Sequence, residues 1–193
     1  MSICLHPHAA VAPSCAEPRA QAIALSSLFA AGALLLSVFA IIGAIASLAL
    51  LLALLGAFAA GSAIARWQSW PACHRLLLSR CAFLLSAVGW LLTLIAWNGF
   101  YYWAALLPGT VVGALGLGIA WRNSGIERGL PGMAAKSAIA ASIIGVTAAV
   151  LLTAHYAGPG ESGFAYALAV LADLALLGAL VVRIREQDDE RQR

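Results

Sequence analysis

The chain has 193 residues, 63% of them hydrophobic and only 10% charged, with a net charge of +3 and a mean hydropathy of +0.93. A soluble domain is roughly 45–50% apolar and about 25% charged, so this composition excludes a water-soluble fold and makes lipid the solvent. The eleven Lys and Arg residues cluster beside apolar stretches; they read as topology determinants and not as a nucleic-acid surface.

Residues 1–19 are polar and Pro-containing and are expected to form a flexible cytoplasmic segment. Cys4, His6, His8 and Cys15 are suitable types for a soft metal, but their spacing fits no standard site. Cys73-His74 is no better placed. No metal is assigned. Too few basic residues precede the first apolar run, and that run is too long, for a cleavable signal. The first helix is therefore expected to act as an uncleaved anchor.

Residues 20–65 contain no charge and no His. As a single helix they would extend about 69 Å at 1.5 Å per residue, over twice the hydrocarbon thickness. They must fold back, with the break expected at Gly43 to Ser47, giving helices near 21–42 and 46–65. Residues 66–80 carry Arg66, Arg75 and Arg80 and read as the first inner loop. The next uncharged stretch, 81–121, is split by Trp97-Asn98-Gly99-Phe100-Tyr101-Tyr102-Trp103. Asn-Gly favours a turn and aromatic residues favour the membrane interface, so helices are predicted near 81–97 and 102–121. Residues 122–136, with Arg122, Arg128 and Lys136, form a second basic inner loop. A fifth helix follows near 137–156. Gly158-Pro159-Gly160 marks an outer turn, and a sixth helix spans about 164–182. Residues 183–193 read as a charged, solvated cytoplasmic tail.

The prediction is an all-α polytopic bundle of about six transmembrane helices with both termini cytoplasmic. With that orientation every Lys and Arg lies inside and the three outer turns carry none, as the positive-inside rule requires. The bilayer is the expected environment, and the Ala/Leu/Gly-rich composition suggests a bacterial inner membrane.

Shifting the chain by 56 residues places Arg66 on Arg122 and Arg80 on Lys136, with Ala82, Ser86 and Gly89 on Ala138, Ser142 and Gly145. The steps i, i+4, i+7 define one helix face, and small residues on one face allow close helix approach. Gly109-x-x-x-Gly113 adds a further candidate contact. Helices 2–3 and 4–5 read as a parallel duplication of one hairpin; the alternative is a coincidence of Ala- and Gly-rich composition.

The second hairpin carries Gly113-Ala-Leu-Gly116-Leu-Gly118-Ile-Ala-Trp-Arg122, then Glu127-Arg128-Gly129-Leu130 and Gly132-Met133-Ala134. Over residues 105–156, and more loosely 50–97, it resembles the small bacterial DUF4190-type membrane domain. The first copy departs from the pattern, with Ser69-Trp70-Pro71-Ala72 in place of the Gly-rich loop. The resemblance implies a helical hairpin and no chemistry.

Asp173 sits near the middle of the sixth span. A carboxylate there costs at least about 2.5–3.5 kcal/mol on insertion scales, so it is expected to face the bundle, find hydrogen bonds or carry a proton. Tyr166, at i−7, and Thr147, Ser142, Thr93 and Ser86 on helices 5 and 3 are the expected polar company. One reading is a proton- or cation-responsive site. The other, favoured because the membrane spans hold no Lys, Arg or second acid, is a hydrogen bond that ties helix 6 to the bundle. His155 reads as an interfacial residue. His74 and His155 fall at opposite membrane faces, which argues against transmembrane haem. No catalytic set, phosphate loop or cofactor motif is present.

The functional expectation is a non-enzymatic inner-membrane scaffold, accessory or sensor-like subunit that binds a protein partner or forms a homo-oligomer. The alternatives are a small proton- or cation-linked transporter or channel using Asp173, and a membrane anchor for a redox complex.

Overall fold

The computed structural model describes residues 16–37, 44–67, 72–99, 103–123, 133–156 and 161–191. Among these residues there are six α-helices: α1 (Ala16–Ser37), α2 (Ala44–Trp67), α3 (Ala72–Gly99), α4 (Leu106–Asn123), α5 (Met133–Tyr156) and α6 (Glu161–Arg191). A single 3₁₀ turn, Trp103–Ala105, leads into α4. There is no strand among the described residues. The chain is an all-helical bundle, and five of its helices are long and apolar enough to cross a membrane.

Several boundaries differ from expectation. α3 begins at Ala72, so most of the expected first inner loop is helical. α6 runs on to Arg191 and takes in the expected solvated tail; a sequence with opposite charges recurring every three or four residues supports helix even in water. α1 starts about a turn earlier than predicted and is described to Ser37, whose Oγ donates to the Leu34 carbonyl at 2.7 Å; residues 38–42 of the expected span lie outside the described residues. The expected turn at Gly43 falls partly outside the described residues, and α2 begins at Ala44.

α4 is the helix left out of the five candidate spans, and it is also the innermost. Leu106, Gly109, Thr110, Gly113, Ala114, Gly116, Leu117, Gly118 and Ala120 are all buried. Its glycines lower its hydropathy and let two neighbours approach on opposite sides. Gly109, Gly113 and Gly116 recur at i, i+4 and i+7 and meet α3. A Cβ on Gly116 would lie 2.5 Å from the Ala82 carbonyl oxygen. Gly118, two residues further and so about 200° round the helix, meets α2 at the Phe58 carbonyl, while Gly61 of α2 meets the Leu115 carbonyl of α4. Pro108 falls in the first turn of α4, where a missing N–H costs nothing.

α4 thus lies between α2 and α3. The packing pairs are α3–α4, α2–α4, α3–α6 and α1–α5, with α1 also against α6 and α4. α2 packs on α4 instead of its sequence neighbour α3, and α5 packs on α1 and α6 instead of α4. The two hairpins of the internal repeat are therefore not the units of packing. The core around these contacts holds Trp90, Phe83, Phe164, Leu34 and Leu117, all essentially inaccessible. Outside it, Ile45, Leu52, Ile95, Ile144 and other large apolar side chains face outward, as a bundle solvated by acyl chains requires.

Candidate functional site: polar residues at mid-membrane depth

The helix-packing residues expected on α3 and α4 come together. Ala82 and Gly89 are buried against Gly116 and Gly113, and Gly109 meets the Thr93 hydroxyl. Thr93 donates to the Gly89 carbonyl at 3.0 Å, and Thr110 to Leu106 at 2.9 Å. This i−4 bond satisfies a hydroxyl inside its own helix. The matching residues of the second copy behave otherwise. Gly145 is exposed with nothing within 4 Å of an added Cβ. The side chain of Ala138 lies outside the described residues.

The expected polar site does not assemble. Asp173 is exposed on the outward side of α6, and Tyr166 on the same helix is 58% exposed. This corrects the expectation that Asp173 faces the bundle. The reason is the periodicity of α6. Phe164, Ala167, Leu168, Leu171, Ala172, Ala175, Gly178, Ala179 and Val182 form one continuous stripe and are all buried. Phe83 of α3 wedges against Gly178, where a Cβ would lie 2.5 Å from the ring, and Trp97 packs against Phe164 with centroids 4.3 Å apart and the rings tilted by 53°. Asp173 is nine residues from Phe164, about two and a half turns at 3.6 residues per turn, which puts it opposite that stripe.

The other members are scattered. Ser86 is buried between α3 and α4. Ser142 lies on the exposed side of α5. Thr147 Oγ1 is buried without a hydrogen-bond partner and lines a cavity of about 620 Å³ among α1, α2 and α5. Leu28, Gly32, Leu51, Leu54, Ile143 and Leu151 are among its walls, and Thr147 is the one polar side chain on them. His155 is exposed at the end of α5, edge-on to Tyr156 at 5.0 Å. No cluster of metal-ligating side chains occurs among the described residues.

Sequence reasoning missed Gly61, Gly116, Gly118 and Gly178 as contact points, and the outward stripe of Tyr166, Asp173, Leu177 and Leu180. The signal for the stripe was available: Ala and Gly recur on α6 at helical spacing, and Asp173 is off that register. Compared with family models, curated proteins and solved structures, the chain matches none. The likeness of residues 105–156 to the DUF4190-type hairpin rests on its own motif alone.

Proposed function

We propose that this chain is a non-enzymatic scaffold or accessory subunit of a bacterial inner membrane, acting by binding the transmembrane helices of another protein. The observation that carries the reading is the outward face of α5. Ala141, Gly145 and Ala149 are all exposed on a membrane-spanning helix, and Val150 is the one fully buried residue of its span. Small residues in a membrane helix gain their energy from close backbone approach, which lipid cannot supply. On α4 the same residue type is consumed by α2 and α3; on α5 it is left for a helix from outside the chain. Mid-membrane Asp173, Thr147 and Ser86 lie apart and do not converge on one point, which supports a binding role over a catalytic or transport one.

The test is purification from the native membrane in mild detergent, with mass spectrometry. The expected result is a stoichiometric second protein, lost on Gly145→Leu while the thermal stability of the chain itself is unchanged. A chain that purifies as a clean homo-oligomer, indifferent to that substitution, would overturn the reading and favour a transporter or channel.

A further inference from the structure

Asp173 lies at the centre of the span Ser162–Ile184, eleven residues from either end. That is about 16 Å of helix at 1.5 Å per residue, beyond the reach of a short side chain to interfacial water. Lipid therefore cannot solvate this carboxylate. The bundle does not shelter it either, because it is exposed opposite the packed face of α6.

We propose that the outward face of α6 is the docking surface for a transmembrane helix of a different protein that carries a Lys or Arg at mid-depth. The inference rests on the reading of this chain as a membrane subunit and names the chemistry of its partner. Charge complementarity selects the occupant. Residues 20–65, 81–121 and 137–154 contain no Lys, Arg or His, and Asp173 is the sole charged residue of 162–182. A second copy of the chain has no cation to offer at this depth, and its own Asp173 would repel a charged carboxylate most strongly in a low-dielectric medium. A cationic side chain pairs with the carboxylate and offsets part of the cost of both charges. The surroundings fit a helix: Ala169 beside Asp173 is small and half-buried, leaving room for approach, while Tyr166, Leu176, Leu177 and Leu180 are exposed around it and form an apolar rim. Tyr166, two turns towards the outer end, adds a hydroxyl on the same face.

The experiment uses the full chain in lipid vesicles with synthetic poly-leucine transmembrane peptides, one with a central Arg and one without, binding being read by energy transfer. The Arg-centred peptide is expected to bind at least tenfold more tightly than the all-Leu peptide. Asp173→Leu should abolish the difference and the near-isosteric Asp173→Asn should reduce it. Equal binding of the two peptides, or a preference that survives Asp173→Leu, would refute the proposal. So would self-association of the chain that disappears in Asp173→Leu, since the occupant would then be a second copy. If native co-purification still yields a partner while the peptides bind equally, the subunit reading stands and only the basic partner fails.

Discussion

Gly89 and Gly145 coincide when the chain is shifted by 56 residues yet have opposite surroundings. An added Cβ at Gly89 would collide with the backbone of Gly113, whereas at Gly145 it meets nothing within 4 Å. Gly89→Ala should therefore cost about 1–3 kcal/mol, the usual penalty of overpacking. Gly145→Ala should leave the bundle neutral or up to about 1 kcal/mol more stable, through helix propensity alone. Thermal unfolding of the two variants in one detergent measures the contrast. Equal effects would mean that the two hairpins pack alike. Asp173 gives a second residue-scale outcome. A carboxylate at mid-span is a burden on insertion, so Asp173→Leu should favour insertion of α6 by up to about 3 kcal/mol, and because the side chain faces outward it should leave the thermal stability of the bundle unchanged. A drop in stability would show instead that Asp173 holds α6 to the bundle.

The elements divide by how much of each is shared. α4 is hidden on both glycine-lined sides, and α5 is held mainly along one edge by α1 and α6. Leu117 of α4 is completely buried, and Leu117→Ala should cost about 2–5 kcal/mol. Leu152 of α5 is 54% exposed, and its replacement by Ala should stay within about 0.5 kcal/mol. In hydrogen exchange of the detergent-solubilised chain, α5 amides should open before those of α4, because local opening follows the density of buried contacts. Uniform protection across the two helices would contradict this division.

Across the whole molecule the antiparallel α3–α4 and α3–α6 contacts alternate the direction of the helices. These contacts bring Arg75 and Arg80 of α3, Arg122 of α4 and Arg183 of α6 towards one end of the bundle, and the positive-inside rule predicts that this end faces the cytoplasm. Trp67, 94% exposed at the end of α2, and Ser162, exposed at the start of α6, bracket the two faces. In a cysteine-free background, Trp67→Cys should react with an impermeant maleimide only after the inner face is opened. Ser162→Cys should react from outside in intact cells. The reverse pattern would invert the topology.

By itself the sequence determined that the chain is an all-helical membrane bundle. An uncharged stretch too long for one span must fold back, and basic loops must stay on one side; neither rule depends on how the helices touch. Close contact at Ala82, Gly89, Gly109 and Gly113 was legible for the same reason, since small residues at helical spacing mark a face. The register of helix ends was less so, because α3 and α6 continue through charged segments that composition alone assigns to water. Only the tertiary structure decided which helix is a neighbour of which. Apolar residues surround most of these helices, so periodicity does not select the inner face, and loop length does not show that α4 inserts between α2 and α3. The sequence shows Asp173 off the Ala and Gly register of α6, but only packing decided that this register is the inner face. The Ala and Gly stripe of α6 gives its energy to α3 and α1, and the carboxylate goes to whatever side remains.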